Sequence, residues 1–391
     1  MNKTVLNDSR LYIIFGITLF AVSGVASLAP AFPAIIDHFG LSEKQIGYLI
    51  TVFTVPGIAL TPVTGILADR FGRKTILIPS MALFGIGGVL CAFQESYHML
   101  LIMRFIQGVG ASALGSLNVT LIGDLFDGKK RGDAMGLNAS VLSIGTASFP
   151  AIGGVLAVFD WRTIFYIPGL IIPLIAVVYF RLHVPVVNGK VKFKDYLSRV
   201  WDTIDRKIVW GLFITNILAF VILYGAYLTF LPLLLKQRLE VGSATIGGIM
   251  SLMSITTAVT SAQYSKIVEK FTSYKMLFGS SVLYALSLSV YAFADNWPFI
   301  ILATILFGLA HGSFIPNVQT MLVGLAPISE RAAFMSVNGM VLRIGQSIGP
   351  VFAAMFFING SFMYVFSVSA LLALTMLLFI KYMVVKGKPA D

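Results

Sequence analysis

Arg104, His311 and Arg343 each stand inside an apolar run long enough to cross a bilayer. A cation in such a run must pair, reach the surface or face water, because an unpaired charge in hydrocarbon is costly. All 17 acidic residues fall in polar connections or at the ends of the runs, so no carboxylate stands mid-span. Arg343 lies roughly 16 Å along its run, too deep to reach the surface easily. It is expected to face a water-filled cavity, backbone carbonyls or an anionic substrate. Arg104 is about five residues from the outer end of its run, so it can reach for the surface, with Asp37 and His38 within possible range. His311 titrates near neutrality and is chemically suited to carry a proton; the alternative is a neutral ring bonded to a helix backbone. Together the three would make an enclosed cavity electropositive, which favours an anionic or amphiphilic solute over a cationic one.

The elements that must hold these side chains are apolar helices. The 391 residues are 57% hydrophobic and 12% charged, the charged share being about half that of a soluble domain. Twelve runs are legible, at roughly 11–36, 45–67, 75–93, 99–123, 134–158, 162–182, 208–234, 243–265, 275–293, 297–323, 332–356 and 361–385. The first is too long for a signal-peptide core and no small-residue cleavage pattern follows, so it is expected to be retained. With the N-terminus inside, connections on that side hold 22 of the 28 Lys and Arg; the other side holds four, Lys44, Arg162, Lys236 and Arg238. That asymmetry places both ends in the cytoplasm. It also accounts for the net charge of +11 without nucleic acid. Cys91 is the only cysteine, which excludes an intramolecular disulfide and a cysteine-based metal site. No G-x-x-x-x-G-K-S/T loop is present, so the chain does not hydrolyse ATP by that route. An intramembrane enzyme would need clustered His, Asp or Ser, and His311 stands alone.

The connection Gly65-Ile-Leu-Ala-Asp69-Arg70-Phe-Gly72-Arg73-Lys74 joins the second and third runs. Its two Gly allow a sharp turn and close backbone approach. Asp69 sits at a helix mouth, where a carboxylate can accept hydrogen bonds or meet a helix N-terminus. The pattern resembles the loop between helices 2 and 3 of the major facilitator superfamily, matching it at Gly65, Asp69, Arg70, Gly72, Arg73 and Lys74. Sliding the chain by 200 residues supports a repeat: Ile46-Gly47 falls on Ile246-Gly247, Asp69-Arg70-Phe71 on Glu269-Lys270-Phe271, Gly108 on Gly308, Asn138 on Asn338 and Pro150 on Pro350. A duplicated chain of this kind is expected to be all-α and polytopic. Residues 1–182 and 208–391 would form two six-helix bundles, and the basic segment 183–207 a cytoplasmic connector.

Three further motifs carry the resemblance. Ala29-Pro30-Ala-Phe-Pro33 is similar to the P-x-x-P end of helix 1 in twelve-helix exporters. Arg104-Phe-Ile-Gln107-Gly108-Val-Gly110-Ala111 resembles the family's helix-4 motif, whose arginine is associated with proton coupling. Gly136, Gly145, Pro150, Gly153 and Gly154 resemble the antiporter motif of helix 5, with Phe149 where that motif has Gly. The branch most resembled is the drug–proton antiporters. The resemblance implies a secondary transporter working by alternating access, exporting small amphiphilic or anionic compounds in exchange for protons. Uptake of an organic anion by symport or facilitation is the alternative; a membrane sensor or scaffold is the alternative of another class. It implies a cavity lined by Arg343, His311, Tyr224, Tyr227, Phe314, Asn317 and Gln319. Proton coupling would fall to Arg104, His311, Asp37 and His38. Gating would fall to Gly65, Asp69, Arg70, Gly72, Arg73, Lys74, Asp124, Gly145, Pro150, Gly153 and Gly154, with Asp124 meeting Arg73 in a cytoplasmic latch. Expected partners are a small-molecule substrate, protons and membrane lipids. A monomer is expected in a prokaryotic plasma membrane, with no cofactor, metal or nucleic acid.

Overall fold

A computed structural model describes residues 8–184, 205–326 and 331–385. The basic stretch expected to join the bundles lies mostly outside the described residues. Twelve long helices follow one another: α1 Ser9–Phe39, α2 Glu43–Phe71, α3 Arg73–Cys91, α4 Tyr97–Leu125, α5 Gly128–Phe159, α6 Trp161–Arg181, α7 Lys207–Leu239, α8 Ser243–Ala262, α9 Ser273–Phe293, α10 Trp297–Leu325, α11 Arg331–Met355 and α12 Phe362–Val385. Eleven of them are long and apolar enough to cross a membrane. The exception is α11, which is long enough but carries Asn338, Arg343, Gln346 and Ser347. Its polarity has a structural reason, since these side chains turn toward other helices rather than lipid. Helices suit the bilayer because each closes its backbone hydrogen bonds internally.

The repeat appears in the coordinates: α3 and α9 begin at Arg73 and Ser273, and α4 and α10 run Tyr97–Leu125 and Trp297–Leu325. Helices α1 to α6 pack among themselves, as do α7 to α12, and the halves meet through α2 with α11 and α5 with α8. Both contacts are close approaches at a glycine. A Cβ on Gly47 would strike Pro350, and one on Gly247 would strike the Pro150 carbonyl. Gly47 and Gly247 are repeat partners, and so are Pro150 and Pro350, so the two contacts are related by a pseudo-two-fold axis. Thr51 Oγ1 donates to the Ser347 carbonyl at 3.0 Å, and Thr54 Oγ1 and Ser347 Oγ are 2.8 Å apart. On the other side the Ala151 N–H donates to Ser251 Oγ at 3.0 Å.

These contacts all lie toward the end of the bundle where α1 finishes and α2 begins. One apolar core runs through that end of the first half into the second; the other is confined to the opposite end of the first half. The hydrogen bonds of Thr51, Thr54 and Ala151 across the halves all belong to the first of these ends. Although α4 packs on α1, α2, α3 and α5, its Gly115 and Val119 are exposed. Gly65 of α2 and Gly136 of α5 likewise have open space beside them. The molecule is joined at one end and parted at the other.

The joined end can be locked chemically. With Cys91 buried, the pair Thr54→Cys and Ser347→Cys should form a disulfide under mild oxidation, visible as a mobility shift after site-specific cleavage. Transport should fall to background and return on reduction. Full transport by the cross-linked protein would show that this contact does not open.

Candidate functional site

The second half lines the opening with a wall of polar and aromatic side chains. Over Leu223–Phe230, α7 widens to a π-helix, with Thr229 Oγ1 donating to the Tyr224 carbonyl at 2.7 Å. Such wide turns alter the direction of side chains and are frequent at functional sites. Here the turn sets Tyr224 over Phe220, rings 6.0 Å apart and nearly parallel. Phe220 in turn meets His311 of α10 edge-on at 6.3 Å. The Tyr284 hydroxyl of α9 lies 2.5 Å from His311 Nδ1. At the other side of the wall Arg343 is within electrostatic reach of the Tyr224 phenol. The Arg343 Nη1 donates to Gln346 Oε1 at 3.0 Å, and the stem of the side chain lies against Gly57 of the opposite half. A larger residue at Gly57 would displace it. The side chain is partly exposed and has no carboxylate partner among the described residues. The fold thus brings Arg343, Tyr224 and His311 together, and adds Phe220, Tyr284 and Gln346, which the sequence reading missed. Phe220 was discoverable, being four residues before Tyr224 on one helix face; nothing in sequence ties Tyr284 to His311.

The other arginine has a different role. Arg104 is 1% exposed. It does not reach for the surface: Nη1 donates to the Gly24 carbonyl at 2.9 Å and to Gln107 Oε1 at 2.7 Å, and Nε donates to the Leu49 carbonyl at 3.2 Å. Its guanidinium also lies over the Phe53 ring at 4.3 Å. It therefore ties α1, α2 and α4 together through the Leu49 carbonyl of α2 and the Gly24 carbonyl just before the break at Ala29–Ala31, where Pro30 and Pro33 interrupt α1. The expectation that Asp37 lies within its reach is corrected. Gly24 and Asp37 are separated along α1 by about 20 Å at helical rise. Asp37 is exposed, and His38 lies tilted against the Trp161 ring at 5.1 Å and approaches Arg162 at 3.3 Å.

Several expected cavity residues are buried in this conformation. Phe314 is fully buried against Tyr284, and Tyr227 is buried and stacked on Phe307. The side chain of Asn317 is used internally, donating to the Ser273 carbonyl at 2.7 Å and accepting from the Tyr264 hydroxyl at 3.2 Å. Gln319 accepts from Asn338 at 3.3 Å, and Asn338 accepts from Asn216 at 3.0 Å. This triad joins α7, α10 and α11. Its counterpart in the first half is Asn118, Thr18 and Asn138, joining α1, α4 and α5.

The expected Asp124–Arg73 contact is present. Arg73 Nε meets Asp124 Oδ2 at 2.9 Å, and the same guanidinium pairs with Asp69 one helical turn earlier. Gly72 adopts φ +96°, which makes the turn between α2 and α3. Lys74 donates to the Tyr179 carbonyl at 2.7 Å, and Arg70 is exposed. Gly65 departs from expectation: it lies within α2 rather than in the turn, with open space beside it. On α5, a Cβ on Gly153 would strike the Ser27 carbonyl and one on Gly154 the Ser243 carbonyl, while Gly145 faces Leu19 and Val22. Consecutive glycines thus seat α5 on its own half and on the other. Phe149 is buried beside them without closing either contact.

The sequence model of the Major Facilitator Superfamily matches residues 14–250 and 225–391. The chain belongs to that superfamily and is a membrane transporter rather than an enzyme. It is 25% identical over 357 residues to the bacillibactin exporter of Bacillus subtilis (strain 168), covering 87% of this chain and 88% of that one. It is 27% identical over 211 residues to the MFS-type efflux pump MMF1 of Pseudozyma antarctica (strain T-34), covering 52% of this chain and 38% of that longer protein. Its fold is shared by a bacterial homologue of the human lysosomal transporter Spinster, solved in an inward-facing and occupied conformation, with a TM-score of 0.79 at 17% identity over 97% of this chain and 98% of that one.

The two arginines should separate by experiment. Arg104→Ala leaves two carbonyls and Gln107 without their donor in a dry interior, a loss of about 3 kcal/mol or more. Its thermal midpoint in detergent should fall well below that of Arg343→Ala, which is expected near wild type. Equal midpoints would refute the distinction. At the latch, Asp69→Asn and Asp124→Asn should each slow transport several-fold with membrane insertion unchanged, read by initial rates against surface-normalised protein.

Proposed function

We propose that the protein exports small anionic or amphiphilic solutes across a prokaryotic plasma membrane by alternating access, with protons as the coupling ion. The observation that carries this reading is Arg343, a partly exposed guanidinium midway along α11 whose hydrogen-bond partner is an amide rather than a carboxylate. It retains capacity for an anion, while the faces of Phe220 and Tyr224 suit the apolar part of an amphiphile. Export is supported by the efflux functions named for two relatives and by the glycine contacts of α5. The distribution of Lys and Arg supports cytoplasmic termini. In that orientation the parted end faces the cytoplasm and the structure is inward-open. A solute would enter from the cytoplasm onto Arg343. The paired contacts Gly47–Pro350 and Gly247–Pro150 would then separate as the halves rock, and the open space beside Gly65 would close. Asp69, Arg73 and Asp124 would hold the cytoplasmic ends of α2, α3 and α4 as one body during that movement.

His311 is the titratable group on the wall suited to proton coupling. A second reading follows from its position. A protonated His311 near Arg343 would strengthen anion binding rather than compete with it, which favours proton–anion symport. The two readings predict opposite signs. In proteoliposomes with the cytoplasmic face inward, an acid exterior should speed efflux of an organic anion in the exchanger and drive its accumulation in the symporter. Organic anions should raise the thermal midpoint and cationic dyes should not, and Arg343→Ala should lose about ten-fold or more of anion transport, at least 1.4 kcal/mol of transition-state stabilisation. Undiminished anion transport by Arg343→Ala would remove the anion site from the mechanism.

A further inference from the structure

The internal repeat separates what packing requires from what it does not. Two hundred residues before Tyr284, His311, Tyr224 and Arg343 stand Phe84, Ala111, Gly24 and Ser143. Phe84 and Ala111 are buried in the first half. A six-helix half is therefore built with a plain ring and a methyl at the places where the second half has a phenol and an imidazole. Neither the hydroxyl nor the imidazole is demanded by the fold.

The Tyr284 hydroxyl and His311 Nδ1 are 2.5 Å apart, bridging α9 and α10. Tyr284 is fully buried and has no other hydrogen-bond partner among the described residues. If Nδ1 carried the hydrogen, the phenolic O–H would be left without an acceptor in the bilayer interior, at a cost. The hydroxyl is therefore the donor and Nδ1 the acceptor, which leaves the hydrogen of the neutral ring on Nε2. The ring is held on two further sides by Phe307, nearly parallel at 6.4 Å, and by Phe220. Nε2 has no partner among the described residues and is not a buried orphan. His311, Ile315 and Gln319 share one face of α10 and are all partly exposed, whereas Phe314 and Asn317 on the other faces are buried, so this face looks toward the opening.

We infer that Tyr284 is a positioning residue that fixes His311 as its Nε2–H tautomer and turns that N–H toward the opening, to meet an acceptor oxygen of the substrate such as a carboxylate, phenolate or carbonyl. This rests on the reading of the wall as the substrate site. The groups around the ring are Tyr284 from α9, Phe220 and Tyr224 from α7 and, beyond Tyr224, Arg343 from α11. If the ring takes a second proton, it enters at Nδ1 and the Tyr284 hydroxyl turns from donor to acceptor. Nε2–H is present in both states, so the substrate meets the same donor throughout.

The test uses full-length protein labelled with 15N-histidine in lipid nanodiscs, with the His311 signal assigned by its loss in His311→Asn. At a pH where the ring is neutral, the expected signal is an unprotonated Nδ1 and a protonated Nε2. In Tyr284→Phe, a substitution the repeat itself tolerates at Phe84, the preference should be lost and the signal should report both tautomers. With an aromatic carboxylate as probe, Tyr284→Phe should raise the KM several-fold with little change in kcat and no fall in thermal midpoint. A protonated Nδ1 in the wild type, or an unchanged tautomer in Tyr284→Phe, would overturn the inference. If the tautomer behaves as expected but neither Tyr284→Phe nor His311→Asn alters transport, the substrate role falls and, with it, the assignment of the wall.

Discussion

A polar group inside a bilayer has no water to replace a missing partner. That constraint sorts the side chains of this protein more sharply than any other. Arg104 gives Nε and Nη1 to the carbonyls of Leu49 and Gly24 and to Gln107, with Nη2 left buried and unpartnered, and in doing so holds three helices together beside the proline break in the first. The amides of Asn118, Asn216 and Asn338 are bonded across helices in two matching triads. Arg343 differs from Arg104 in being partly exposed, with the amide of Gln346 as a partner and the phenol of Tyr224 within electrostatic reach.

The contacts between the halves follow from the same chemistry in another form. Lipid tails are as apolar as leucine, so helices gain little from burying apolar side chains against one another and more from close approach. Glycines at 154 and 247 let backbones meet and Gly47 admits the Pro350 ring, and the hydrogen bonds added there are few and neutral. Such an interface is well defined in geometry and modest in energy, which suits a surface that must open. Within each half, by contrast, the triads and Arg104 fasten helices by polar side chains, so a half can move as one body.

Duplication supplies the architecture and asymmetry supplies the chemistry. The paired contacts Gly47–Pro350 and Gly247–Pro150 keep the two-fold relation nearly intact. The polar and aromatic wall breaks it, with Tyr224, Tyr284, His311 and Arg343 in one half against Gly24, Phe84, Ala111 and Ser143 in the other. The first half has its own asymmetric group in the Asp69–Arg73–Asp124 latch, of which the second half keeps only Glu269 in sequence, with Ser273 and Gly324 at the other two places.

The helices, their duplication and the superfamily were legible in sequence because each depends on local or periodic features: run length, the placement of Lys and Arg, the Gly65–Lys74 pattern and the offset of 200. The depth of Arg343 within its span was legible too, because depth along a helix follows from counting residues. The fate of Arg104 was not. Whether a buried arginine seeks the surface, a carboxylate or a carbonyl depends on which helix breaks beside it, and that is a matter of packing. Likewise Phe314 and Asn317 carry the residue types of a binding site, yet the rotation of α10 turns them into the protein, and Gly65 looked like a turn residue but lies within a helix. Tyr284 reaches His311 only because α9 and α10 are neighbours, a relation between two helices that no spacing along the chain encodes. Sequence determined the spans and the kinds of chemistry available; the directions in which side chains point, set by helix rotation and by the wide turn in α7, were decided only when the helices packed.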